Sequence, residues 1–230
     1  MLKLEHIRID NGGFILTADF AIPPGARVAV IGPSGAGKTT LIEAVAGFLP
    51  LSGGRILWGE SDISDQLPGK RPVAMLFQDG NLFPHLTAAQ NVGLGLHPNL
   101  RLSDSEHARV AQALERVGLS GMEARKPAAL SGGQQSRVAL ARVLVQGRDI
   151  LLLDEPFAAL GPALKAEMLD LVAELATESG ATLLMVSHDP GDARRIADQV
   201  VLVAEGQAHP PRPTADLLDD PPPALKAYLG

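Results

Sequence analysis

RVAVIGPSGAGKTTLIEAVAGFL, residues 27–49, decides the fold. It opens on a β-branched apolar run that reads as a buried strand and closes on an apolar spacing that reads as a helix. Between them, Gly32, Gly37, Lys38 and Thr39 fill every fixed place of the pattern G-x-x-x-x-G-K-[ST], with Pro33, Ser34, Gly35, Ala36 and Thr40 completing the loop. Glycines at 32, 35 and 37 let the backbone turn with no Cβ in the way. Successive N–H groups then converge at a helix N-terminus, a geometry that holds phosphate. Lys38 is expected to place its charge on the β- and γ-phosphates of a nucleotide, and the Thr39 hydroxyl to ligate Mg²⁺. A glycine turn that binds nothing is the bland alternative, and the strand–loop–helix context argues against it.

Further along the chain, ILLLDEP begins at Ile150. Asp154 and Glu155 end a wholly apolar run, so both carboxylates should emerge at the carboxyl edge of a sheet, where open α/β folds bind ligands. Asp154 is expected to hold Mg²⁺ and Glu155 to polarise an attacking water as general base. Gln78, expected at the end of the strand at 73–78, could reach the metal or that water. His188 closes another apolar run and could donate to the γ-phosphate. LSGGQ, at 130–134, offers Ser131, Gly132, Gly133 and Gln134 at the start of a helix, a second phosphate-binding end. One triphosphate cannot readily use two distant helix ends of one chain. A head-to-tail homodimer, each chain capping the other's nucleotide, resolves this.

The remaining pattern is α/β. Residues 1–22 read as two strands joined at Asn11-Gly12-Gly13, and 55–58 as a short strand beside them, giving an N-terminal antiparallel β region. Thr87 to Gln90 and Ser103 to Glu106 fit capping boxes, so a helical segment is expected from about Asp79 to Gly147. Strand and helix then alternate through 149–154, the helix after Gly161-Pro162, 181–187 and 192–198, which predicts a mainly parallel sheet.

Composition removes whole classes of function. With 230 residues, 46% of them hydrophobic, the chain can bury a large core. It has no cysteine, hence no disulfide framework, thiolate metal site or cysteine nucleophile. Net charge is −6 and aromatics are 3%, so nucleic acid is not expected as a partner. Charges at Lys3, Glu5, Arg8 and Asp10 break any signal-peptide core, and no apolar run suits a bilayer span, so the chain is expected to be soluble by itself.

Taken together these motifs resemble the ATP-binding cassette ATPases over nearly the whole chain. The resemblance implies a P-loop NTPase with a RecA-like core, 1–78 and 148–230, and an inserted helical subdomain, 79–147, that carries the signature 130–134. It implies ATP and Mg²⁺ as ligands, Gln78 and His188 as nucleotide sensors, and Glu155 as the hydrolytic base. It also implies separate permease subunits, a periplasmic solute-binding protein acting indirectly, and a peripheral place on the cytoplasmic face of a bacterial inner membrane. Locally, residues 71–100 with the opening MLKLEHI are similar to ATP-binding subunits of bacterial thiamine importers. Importers of iron, sulfate or polyamine, a soluble cassette of the same superfamily, or a cassette that binds ATP only as a structural switch stay open alternatives. Three departures stand out. The loop after Glu155 reads Ala158-Ala159-Leu160-Gly161 where the family usually ends in Asp; no aromatic lies near Asp10 and Asn11, leaving Phe14 as a substitute adenine contact; and Gln135-Ser136 precede Arg137 where the family often has a basic residue first.

Overall fold

The computed structural model describes residues 1–78, 80–223 and 225–226. Strands β1 (Leu2–Asn11) and β2 (Phe14–Ile22) form the expected antiparallel hairpin, with Asn11 opposite Phe14 and both turn glycines at positive φ. Next come β3 (Arg27–Ile31), helix α1 (Lys38–Ala46), β4 (Gly53–Trp58) and β5 (Ser61–Asp62). β4 returns to pair with β1, and β5 with β4. After β6 (Val73–Leu76), helices α2 (Ala88–Gly93), α3 (Asp104–Arg116) and α4 (Gly132–Leu144) interrupt the alternation. It resumes with β7 (Ile150–Asp154), α5 (Pro162–Ser179), β8 (Thr182–Val186), α6 (Pro190–Ile196) and β9 (Gln199–Ala204). Short strands β10 (Gln207–Ala208) and β11 (Arg212–Pro213) and helix α7 (Thr214–Asp219) follow.

The strand order is β5-β4-β1-β2-β10-β9-β3-β8-β7-β6, with β11 added on β9. Neighbours among β9, β3, β8, β7 and β6 are all parallel. β10 joins this half to the hairpin, antiparallel to β9 and parallel to β2. Such a sheet is covered on both faces, which is why its strands read as unbroken apolar runs. Alternation within them feeds two cores. Leu151, Leu153, Leu183 and Met185 pack toward α2–α6, while Ile150, Leu152, Leu184 and Val186 pack with α1 under the antiparallel strands.

Two expectations on boundaries need correction. The first helix stops at Ala46 and not at residue 49, because Gly47 takes a left-handed φ of 89° and Arg71 donates to the Ala44 and Val45 carbonyls at 2.8 and 2.9 Å. A Cβ at Gly47 would lie 2.5 Å from Arg71 Nε. The sixth strand stops at Leu76, which leaves Gln78 two residues beyond it in a turn. The helical boundary expected at Asp79 lies outside the described residues. Both capping boxes formed as read, at Thr87 with Gln90 and at Ser103 with Glu106.

Candidate functional site

The glycine loop runs from the end of β3 into α1, and its conformation excludes side chains. Gly32 has φ of 151°, and a Cβ there would sit 2.0 Å from the Val203 carbonyl oxygen. Gly37, the residue before α1, has φ of 102° and presses on the Phe14 ring, 2.8 Å from where its Cβ would be. No side chain caps α1, so its first N–H groups face a cleft of about 380 Å³ between Phe14, Ser34, Lys38, Thr40 and Glu155. Lys38 is buried, and its Nζ donates to the Gly32 and Pro33 carbonyls at 2.8 and 3.0 Å. Burial lowers its pKa, while the charges of Glu155 and Asp154 oppose the shift.

Thr39 and Asp154 meet across the cleft floor, the hydroxyl 3.2 Å from Asp154 Oδ1. Burial lifts the Asp154 carboxyl above its ordinary range; the Thr39 hydrogen bond and Lys38 oppose that, and Glu155 adds to it. Two hard oxygen donors side by side suit Mg²⁺. Among the described residues no group of three or more His, Cys, Asp or Glu could hold a metal, so such an ion would draw its other ligands from phosphate and water.

Glu155 takes a left-handed backbone, φ 44°, which a non-glycine residue adopts at a cost on the order of 1 kcal/mol. The conformation is held on both sides. Its N–H donates to Val186 O, and its carbonyl accepts from Ala158 N–H, each at 3.2 Å. His188 Nδ1 lies 3.2 Å from Glu155 Oε2. Lys38, Thr39, Asp154, Glu155 and His188, scattered over 150 positions of sequence, are thus brought together.

Gln78 and the signature lie elsewhere. Gln78, Gly132, Gln135 and Ser136 line a separate pocket of about 560 Å³ with Leu160. Ser131 and Gln134 close a capping box on α4, the Ser131 hydroxyl accepting from Gln134 N–H at 3.3 Å. Gly133 packs against α5, where a Cβ would come 2.5 Å from Leu164 Cδ2 and that side chain would have to shift, whereas one at Gly132 would meet nothing within 4 Å. Among the described residues, none crowds position 132 so as to explain its glycine.

Sequence reasoning missed four groups. Arg142 donates to the Gly80 and Asn81 carbonyls at 2.5 and 2.8 Å, tying α4 to the loop after Gln78. Asn91, fully buried, accepts from Phe83 N–H and donates to the carbonyls of Phe83, Leu86 and Thr87. This shapes the segment around Phe83, whose side chain is exposed while Leu82 packs on the core. Lys165 forms ion pairs with Asp192 and Asp189, all three lining one pocket with His188. An isolated Asn in an apolar helical pattern was the one available signal for Asn91; the other partners are too far apart in sequence.

Residues 16–158, more than half of the chain, match the ABC transporter family. The chain belongs to that family. This cassette is 67% identical over 230 residues to the "Thiamine import ATP-binding protein ThiQ" of Ruegeria sp. (strain TM1040), with all of both chains covered. It is 61% identical to the protein of that name from Cereibacter sphaeroides, again with both chains fully covered. Among solved structures it superposes on the dimeric post-hydrolysis state of the ATP-binding cassette MJ0796 bound to ADP and Pi, with TM-score 0.78, 28% identity, and 93% of this chain and 99% of that one covered. As an ABC ATPase it is a nucleotide-binding protein, and its P-loop NTPase fold is the one expected from residues 27–49. Among the described residues no helix is long and apolar enough to cross a membrane.

Proposed function

We propose that this cassette hydrolyses MgATP to energise thiamine import through separate membrane permease subunits. The observation that carries the substrate is the full-length, 67% identity to a protein named for thiamine import. Those names favour an importer over a soluble cassette and over importers of other solutes. For the chemistry, the glycine loop and α1 N-terminus receive the triphosphate, with Lys38 exchanging its carbonyl partners for phosphate oxygens. Thr39 and Asp154 would hold Mg²⁺, which would offset the charge of the phosphates. Glu155 accepts a proton from water as the water oxygen attacks the γ-phosphorus; the bond to the bridging oxygen breaks, giving ADP and phosphate. His188 orients this step.

The unexplained glycine at 132 supports a shared site. Gly132 would let the α4 N-terminus of one chain approach the γ-phosphate held by another, in a head-to-tail dimer. Gln78, which lines the same pocket as Gly132, would reach the metal or the water once the two chains close. Phe83 and the segment clamped by Asn91 form the permease contact on the cytoplasmic face of the inner membrane, and a periplasmic binding protein delivers thiamine on the other side. The test is uptake of labelled thiamine into vesicles holding permease, binding protein and this cassette. ATP-dependent accumulation that stops with Lys38→Ala is expected; uptake that ignores Lys38→Ala, or ATP-dependent uptake of a different solute only, overturns the reading.

A further inference from the structure

The charged cluster beneath His188 belongs to none of the motifs read from the sequence. Lys165 lies in the first turn of α5, four residues after Gly161, where no side chain caps the helix. Its ammonium reaches Asp189 Oδ2 at 2.6 Å and Asp192 Oδ1 at 2.7 Å. Asp192 in turn accepts the buried Ser187 hydroxyl at 2.7 Å. Asp189 accepts from Gly191 N–H at 2.8 Å, and its own N–H donates to Ser187 Oγ at 3.0 Å. The residues on both sides of His188 are therefore tied, directly or through Asp192, to one lysine. Burial by itself would lower the Lys165 ammonium, but its hydrogen bonds to Asp189 and Asp192 and their charges outweigh this and hold it above its ordinary value. The bond from Lys165 holds Asp189 below its own. The cluster is an ion triplet, with one cation separating two carboxylates that would otherwise repel.

We infer that Lys165 is a positioning residue for hydrolysis, fixing the His188 turn against α5 and thereby setting the separation of His188 from Glu155. The inference rests on the proposed role of Glu155 as base. The connectivity is a closed ring: Glu155 leads through residues 156–161 into α5, Lys165 crosses to Asp189, and His188 returns to Glu155 at 3.2 Å. Removing the cation opens that ring at the Lys165 link between helix and turn, while Arg195 still ties α6 to Asp170 of α5. Nothing at the glycine loop is touched, so nucleotide affinity is spared.

Steady-state phosphate release by the full chain tests this with Lys165→Met, Lys165→Arg and Glu155→Gln. Lys165→Met is expected to lower kcat at least about tenfold with KM for ATP within about twofold, since small misplacements of reacting groups cost rate more than binding. Lys165→Arg, which keeps the charge, restores most of the loss. Should Lys165→Met fail to fold, Asp189→Asn, which keeps the shape, shows the same split. Unchanged kcat in a variant that cuts the Lys165–Asp189 link, alongside a dead Glu155→Gln chain, overturns the inference. So does a rise in KM that matches the fall in kcat. Turnover that survives Glu155→Gln instead brings down the role of the base and the inference with it.

Discussion

His188 Nδ1 stands 3.2 Å from Glu155 Oε2, 33 residues apart in sequence, because β7 and β8 are adjacent and parallel, with Asp154 in register with Val186. Parallel pairing puts both carboxyl ends on one edge, the edge at which open α/β sheets bind ligands. His188→Ala is expected to reduce phosphate release by at least about tenfold, within the usual range for losing a group that orients proton transfer. ATP binding should persist, because His188 lies outside the glycine-loop cleft. Equilibrium binding of a fluorescent ATP analogue, run beside phosphate release, checks the split.

Gly32 offers a test of the loop by stability alone. Alanine there would need φ of 151° and would drive its Cβ to 2.0 Å from the Val203 carbonyl oxygen, on backbone that cannot swing aside. Gly32→Ala should cost at least about 2 kcal/mol, read as a fall in urea midpoint with the slope unchanged. Gly132→Ala, which meets nothing within 4 Å, should leave the midpoint of the isolated chain nearly where it was.

Asp154 gives a dependence on pH. Burial raises its carboxyl above the ordinary range, so folding favours the protonated form. Stability from such a group is fully present below its unfolded pKa and is lost as pH rises through the folded value. At about pH 8 without Mg²⁺ or nucleotide the ionised Asp154 is therefore a cost, and Asp154→Asn should raise Tm. The gain should shrink as pH falls toward about 4. Added MgATP should reverse the order, since the variant lacks a ligand for the cation. Thermal denaturation across that range decides it; a variant less stable than the parent at about pH 8 contradicts the assignment.

A shared site makes Ser131 an interface residue. In MgATP a hydrolysis-deficient chain should sediment as a dimer, and Ser131→Arg should return it to monomer by placing bulk beside the γ-phosphate. Ser131 also caps α4, and losing that cap costs about 1 kcal/mol. Ser131→Ala loses the cap without adding bulk and is the control. A dimer equally stable with arginine at position 131 would remove the signature from the interface.

The sheet was legible because strands buried on both faces must be apolar throughout, as residues 28–31, 150–153 and 183–186 are. Capping boxes were legible because Thr87, Ser103 and their partners act over three residues. The stop at Ala46 was not, since Arg71, 25 positions on, supplies the carbonyl caps. The residues at the glycine-loop cleft were readable from spacing, and their approach from parallel topology. Lys165, Asp192 and Arg142 were not, because their partners are fixed only once α4, α5 and α6 pack. Gly161 proved neutral in space: a Cβ there would meet nothing within 4 Å, so sterics do not explain the missing carboxylate.

Phosphate release from the Glu155→Gln chain, with ATP occupancy measured on the same sample, bears most directly on Glu155 as the base that activates water. Glutamine keeps the shape and can still hydrogen-bond water, but it cannot take the proton. Full ATP occupancy with turnover at least about 10²-fold below the unaltered chain is the expected result. Turnover within a few-fold of the unaltered chain would contradict it.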